Sequence, residues 1–224
     1  MPNLDPVLEE MISSFPLKKV ARGRTIIYQG EIPRSSYIVV NGTVRIYSLN
    51  TRGDESNISF ISTGNIFPVE VVFEKNTSCL HYYEATSDVE IAVIPTEILR
   101  KEFNNNIKLS NIILDSIATQ YVGAKIHIQA LEQTRAQDKI LRILQYLVLR
   151  FGEKNKAGNW LIVLRLKQHD IANMVGVARE TAATELGKLK KLNIIEYDSF
   201  HYTVDIKALS DLIGTEEWKD IEIS

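Results

Sequence analysis

From Lys18 to about Pro95 the apolar residues come in short bursts, TIIYQ, SYIVVNG, TVRIYSL, NISFIST and VEIAVIP, set apart by polar residues. Gly30, Gly42, Gly53 and Gly64 punctuate the bursts at intervals of 12, 11 and 11 residues. Short β-rich runs at such spacing, with turn residues between them, predict the strands of one antiparallel roll, barrel or sandwich. A short helix precedes them. Asp5-Pro6 suits a cap and a first helical position, Val7, Leu8, Met11 and Ile12 share one face, and the helix ends near Pro16.

After Pro95 the period changes. TEILRKEFN (96–104) predicts a short helix leaving the roll. A longer helical pattern then runs from about Ile107 to Arg135, with no proline and one glycine, Gly123. Its apolar positions, Leu109, Ile113, Ile117, Tyr121, Ala124, Ile128 and Leu131, step by three or four. So narrow a seam fits a helix pairing with a copy of itself; packing on its own β domain is the alternative, and both can hold on different faces. Gln137–Phe151 is denser in apolar residues, as inside a small helical domain. Gly152–Asn159 reads as a polar loop, WLIVLRL (160–166) as a strand, and Ile206–Ile213 as a last helix. The chain thus divides into residues 1–104, a linking helix at 105–136, and residues 137–224.

Gln168–Leu192 reads as two short helices joined at Val175-Gly176-Val177. The first carries Ile171, Ala172 and Val175 and the second Ala182, Leu186 and Leu189, all at helical spacing. Small Ala172 lets the helices approach, and Gly176 can take the positive φ of a sharp turn. Arg179, Glu180, Thr181 and Thr184 then stand at the start of the second helix, away from its apolar stripe. This is a helix-turn-helix with polar side chains where a recognition helix meets base edges. Asn193–Tyr197 and His201–Val204, turning at Asp198-Ser199-Phe200, form a β-hairpin placed as the wing of a winged helix.

The net charge of −2 does not announce a nucleic-acid partner, but its distribution does more. Arg165, Lys167, Arg179, Lys188, Lys190 and Lys191 face Asp170, Glu180 and Glu185, a local +3, while Asp211–Ser224 holds five acids and one lysine. Such a surplus suits phosphate contacts or a solvated face. One cysteine, Cys79, excludes an intramolecular disulfide and an all-cysteine iron–sulfur cluster. No run is long enough for a membrane span and the N-terminus has no signal pattern, so a cytoplasmic chain without a membrane partner is expected.

Three stretches carry a resemblance over nearly the whole chain: Gly23-Arg24-Thr25-Ile26-Ile27-Tyr28-Gln29-Gly30-Glu31, Tyr37-Ile38-Val39-Val40-Asn41-Gly42-Thr43-Val44-Arg45, and Asp170 to Thr181 with its Arg179-Glu180-Thr181 triplet. Together with the order of parts, the chain resembles the family of the cyclic-AMP receptor protein and the fumarate-nitrate reduction regulator. The resemblance implies an α+β fold: an N-terminal antiparallel β-roll like a cyclic-nucleotide-binding domain, a long dimerisation helix and a C-terminal winged helix-turn-helix. It also implies a homodimeric transcription regulator, not an enzyme, with double-stranded DNA of two-fold symmetry and RNA polymerase as partners. Carried over, Arg179 would donate to guanine O6 and N7, and Glu180 would accept from a cytosine amino group. Thr181 would touch phosphate or a thymine methyl, and Gln168 and Lys188 would grip phosphates. Glu180 also suits a helix N-terminus on macrodipole grounds alone. Several relatives carry arginine where this chain has Thr184, so the half-site should differ from theirs.

The sensor half departs from the cyclic-nucleotide pattern. The family's Gly-Glu and Arg-Ser pairs correspond to Pro68-Val69, with Glu70 displaced by one, and to Cys79-Leu80; Ala124-Lys125 replaces its hydroxyl pair on the long helix. Without the arginine a buried phosphate would lack a partner, so the expectation is against cyclic AMP. Cys79-x-His81, which on a strand would share a face, and Pro2 leave haem open, against the plainer reading of a buried cysteine and a surface histidine. Phe67, Glu70, Tyr82, Tyr83, Tyr121 and Lys125 could line an effector pocket between roll and long helix, with aromatic packing as the alternative. A catalytic vessel would need clustered histidines, and only His81 falls in the roll.

Overall fold

The computed structural model describes residues 4–73 and 78–214. Pro2, Thr77 and the acidic stretch from residue 215 onward lie outside the described residues. The chain forms two compact units, residues 1–120 and 121–224.

In the first unit, helix α1 (Pro6–Ile12) starts as read, with the Asp5 carboxylate accepting the Val7 N–H at 2.8 Å. Eight strands follow: β1 (Leu17–Val20), β2 (Thr25–Ile27), β3 (Ser35–Asn41), β4 (Val44–Leu49), β5 (Glu55–Ile61), β6 (Ile66–Phe67), β7 (Tyr82–Ala85) and β8 (Val89–Pro95), with the one-turn helix α2 (Val69–Val72) before β7. They pair antiparallel in two four-stranded sheets, ordered β1-β8-β3-β6 and β2-β7-β4-β5. The sheets enclose one core, with Ile27, Val39, Val44, Ile61, Phe67, Tyr83 and Ile91 at its centre. Strand alternation sends Ile38, Val40, Ala92 and Ile94 to the other face of the first sheet, where α1, α3 (Thr96–Asn105) and the start of α4 (Ile107–Glu132) cover them. This strand therefore reads as a continuous apolar run because both of its faces are buried. The four evenly spaced glycines all have positive φ, +83°, +93°, +86° and +83°. Gly42 shows why the residue type matters, since a Cβ there would stand 2.5 Å from the Asp88 carbonyl oxygen.

Helix α4 corrects the single seam. Leu109 and Ile113, at 1% and 3% exposure, are buried against the first sheet with α1 and α3. Leu114, not Ile113, continues the outward stripe. Its exposed members are Leu114, Tyr121, Ala124, Ile128 and Leu131, whereas Ile117 is half-buried and packs on the cluster of Leu109 and Ile113. From Gly123 a third face of the helix, with Ile126, His127 and Ala130, is buried in the second unit.

That unit continues with α5 (Ala136–Phe151), β9 (Gly152–Lys154), β10 (Trp160–Ile162), α6 (Gln168–Val175), α7 (Arg179–Lys191), β11 (Ile195–Tyr197), β12 (Tyr202–Val204) and α8 (Ile206–Ile213). The strands form one antiparallel sheet ordered β11-β12-β10-β9. Two expectations change here. The loop after α5 contributes β9, formed by a hairpin whose turn is tied by Asn155 Oδ1 accepting from Ala157 and Asn159, each at 3.0 Å. The strand expected through 166 stops at Ile162, although Leu164 and Leu166 stay buried. Ile140, Leu144, Leu147 and Val148 of α5 are the floor on which α6, α7 and α8 pack.

Candidate nucleic-acid interface

Helix α6 begins with the Asp170 carboxylate reaching back to the Lys167 N–H at 2.7 Å, half of a capping box. It ends at Gly176, whose φ of 65° and ψ of 43° place it in the left-handed region, with its N–H and that of Val177 on the Ala172 carbonyl. The turn therefore uses Gly176 as its sequence position suggests. Two side chains hold the carbonyl end of α6. His127 of α4 hydrogen-bonds the Met174 oxygen at 2.7 Å through Nε2, and Lys139 of α5 donates to the Val175 oxygen at 3.2 Å. The His127 ring stacks on Tyr146. Sequence spacing left His127 unassigned, because its partner is a backbone carbonyl 47 residues away.

Helix α7 buries Ala182, Leu186 and Leu189. At about 100° per residue, Glu180, Thr184, Gly187 and Lys191 lie on the opposite side. Arg179, Glu180, Thr181, Thr184 and Lys188 are all exposed. The Thr184 hydroxyl is turned inward, donating to the Glu180 carbonyl at 2.8 Å. Lys188 donates to Glu185 at 2.8 Å; its own side chain is 58% exposed, while that of Glu185 is only 12% exposed. Lys190 is committed to the wing, donating to the Tyr197 carbonyl at 3.2 Å and lying over that ring at 4.5 Å.

An open cleft of about 550 Å³ gathers Lys167, Gln168 and His169 from the start of α6, Arg179 from the start of α7, and Asp198, Ser199 and Phe200 from the wing turn. Gln168 and Arg179, eleven residues apart in sequence, share this cleft. The wing turn was legible as a turn but not as part of this cleft. Asp198 fixes it, accepting the Phe200 and His201 amides at 2.6 and 2.8 Å. Those amides hold its carboxyl below the usual carboxylate range. The turn keeps this support above the ordinary carboxylate pKa and loses it only as pH falls through the lowered one. Arg165 stacks its guanidinium 4.3 Å over Phe200 and stiffens the wing tip.

The roll separates residues that sequence placed together. Phe67 is core, stacked between Tyr37 at 5.2 Å and Tyr83 at 5.3 Å. Glu70 accepts the Tyr83 hydroxyl at 3.1 Å. Tyr82 faces the other way, stacked on Tyr47 at 5.0 Å beside the Arg45 pairs with Glu55 and Glu84. The structure therefore brings Tyr83, not Tyr82, to Glu70. Tyr121 and Lys125, on α4 in the second unit, are exposed, with the Lys125 ammonium 4.7 Å from the Tyr121 ring centroid.

Cys79 precedes β7 rather than lying on a strand with His81, and is buried in the roll core. Burial, then the charges of Glu70 and Glu31, push its thiol up to about 12. Such a thiol stays protonated near neutrality and is a poor source of the thiolate that an axial metal bond needs. Desolvation lowers the pKa of His81 against the opposing charge of Glu70. Among the described residues there is no cluster of three or more histidine, cysteine or acidic side chains able to hold a metal ion. Cys79 is expected to alkylate far more slowly in the native chain at pH 8 than in denaturant. Its support for the fold should be complete below the ordinary thiol pKa and lost as pH rises toward 12. Equal alkylation rates in both states would contradict this placement.

Residues 17–106 match the cyclic nucleotide-binding domain family, and residues 139–212 match the Crp-like helix-turn-helix domain family. The chain belongs to the Crp/Fnr family of transcription regulators. Among this family's members, it is 23% identical to the global nitrogen regulator of Synechococcus elongatus, over 84% of this chain and 85% of that one. It is 25% identical to the fumarate and nitrate reduction regulatory protein of Vibrio cholerae, over 96% and 82% of the two chains. FixK2 from Bradyrhizobium japonicum superimposes with a TM-score of 0.73 at 21% identity, covering 88% of this chain and 96% of that one. The c-di-GMP responsive regulator CLP of Xanthomonas campestris gives 0.71 at 17% identity, covering 88% and 97%. The two family matches make this Crp/Fnr chain a DNA-binding regulator with a roll of the cyclic-nucleotide-binding kind. Among the described residues no helix is long and apolar enough to cross a membrane.

Proposed function

We propose that this regulator works in the cytoplasm as a homodimer that reads an inverted-repeat operator and whose roll does not take cyclic AMP. The observation that carries the reading is the outward stripe of α4. Leu114, Tyr121 and Ile128 recur every seventh residue at 51%, 60% and 54% exposure, with exposed Ala124 between the last two and exposed Leu131 after them. Apolar residues left in water at heptad spacing are what a parallel helix pair buries. Two-fold pairing would present two α7 helices to successive major grooves, about 34 Å apart.

In each half-site, Arg179 would pair with guanine and Glu180 with a cytosine amino group. Gln168, Thr181 and Lys188 would hold the backbone, and RNA polymerase would be the protein partner. Selection from random duplexes with the full chain tests the reading. The expected product is an inverted repeat whose affinity falls steeply with salt. Recovery of no common sequence would overturn it.

Cyclic AMP is disfavoured by chemistry at the site. Where the family places a phosphate-binding pair, this chain has a buried thiol and an exposed leucine, and the nearby carboxylate of Glu70 repels an anion. Millimolar cyclic AMP is expected to leave the melting temperature unchanged; a rise of several degrees would contradict the proposal.

Gly187 adds a separate expectation. Nothing lies within 4 Å of the position its Cβ would take, so packing does not demand glycine. Within a helix it costs about 0.5–1 kcal/mol against alanine. Gly187→Ala should therefore raise the melting temperature by roughly 1–4 °C, yet weaken operator binding because that face enters the groove. Tighter binding by this variant would place Gly187 outside the contact.

A further inference from the structure

We propose that Thr184 reads thymine through its methyl group, one base in each half-site. This rests on the reading of α7 as the recognition helix and adds what the position reads.

Thr184 carries two groups that could face a base, a hydroxyl and a methyl. The hydroxyl has one proton, and that proton is donated to the Glu180 carbonyl at 2.8 Å, within the helix itself. Guanine O6 and N7, adenine N7 and thymine O4 are all acceptors in the major groove and all require a donor. Thr184 has no proton left for them while this bond stands; its oxygen keeps lone pairs for the adenine and cytosine amino groups alone, a role the charged Glu180 carboxylate fills more strongly. Its side chain is exposed and lies opposite the stripe of Ala182, Leu186 and Leu189. What Thr184 can add beside the acceptor of Glu180 and the donors of Arg179 is its methyl carbon, Cγ2. The 5-methyl of thymine is the apolar feature of the major groove, and contact with threonine methyl excludes water from both. Neighbouring Glu180 supplies an acceptor and Arg179 donors, so Thr184 adds an apolar reading that neither duplicates.

The test uses the full chain and its selected operator, with each thymine replaced in turn by deoxyuridine, symmetrically in both half-sites. Only the methyl is removed. At one position per half-site the replacement should weaken binding about fourfold, hence roughly fifteen-fold across the symmetric site. Thr184→Val, which keeps the methyl and discards the hydroxyl, should retain that sensitivity. Thr184→Ser, which keeps the hydroxyl and discards the methyl, should bind thymine and uracil operators equally at that position. The inference is overturned if no thymine is sensitive, if T184S keeps the sensitivity, or if the sensitivity disappears instead in Thr181→Ser. Failure to select any operator would overturn the operator-reading proposal and this inference together. A specific operator indifferent to the thymine methyl overturns this inference alone.

Discussion

A chain carrying Leu114→Glu and Ile128→Glu is expected to remain folded, to sediment as a monomer, and to lose operator affinity by two orders of magnitude or more. Both side chains are already about half exposed, at 51% and 54%, so the substitutions remove little from either unit. In the proposed pair the same residues meet their copies across the two-fold axis. Four carboxylates would then be desolvated in an apolar seam, at several kcal/mol per unpaired charge. Losing the dimer makes the two half-sites independent, which forfeits an avidity gain of about 10²–10⁴. Circular dichroism reports the fold, sedimentation the mass, and fluorescence anisotropy the affinity. A dimeric double variant that still binds the operator tightly would mean that α4 is not the seam. Leu109→Glu and Ile113→Glu should behave oppositely and destabilise the first unit, because those residues are buried against its sheet.

Arg179→Ala should erase preference for one guanine per half-site. A bidentate arginine–guanine pair discriminates by about 1–3 kcal/mol, so two half-sites lose about 2–6 kcal/mol, roughly thirty-fold to four orders of magnitude. Weak binding to unrelated duplex should persist, because phosphate contacts carry it. Arg179→Lys should not rescue the preference, since a point charge lacks the two-pronged fork. Replacing the contacted guanine by 7-deazaguanine should weaken wild type and leave the alanine variant unaffected. If both proteins respond equally, Arg179 is not the reader.

The sequence made the helix-turn-helix legible because its constraints are local. Gly176 must turn, Ala172 must be small, and Ala182, Leu186 and Leu189 repeat on one helical face. Gly30, Gly42, Gly53 and Gly64 were equally readable, each terminating a run with a positive φ. What escaped was set by partners distant in sequence. Strands β6 and β9, at two and three residues, have too little pattern of their own and exist because β3 and β10 pair with them. Tyr82 and Tyr83 are adjacent aromatics, and only the register with β4 decides which one enters the core. Helix α4 carries three apolar faces whose periodicities overlap, so a linear count merged Leu109 and Ile113 with the outward stripe. The site was read in the same proportion. The exposed polar side of α7 followed from its period, whereas the inward turn of the Thr184 hydroxyl, the His127 and Lys139 holds on α6, and the wing tip beside Arg179 are visible only in the fold.

Helical phasing tests the central claim most directly. In the proposed dimer, α4 pairing holds the two recognition helices one turn of DNA apart. Inserting five base pairs between the selected half-sites should turn one of them to the far side of the duplex and reduce affinity about a hundred-fold, with ten base pairs restoring part of the loss. Equal affinity for the original and the five-base-pair spacing would contradict a fixed two-fold reader.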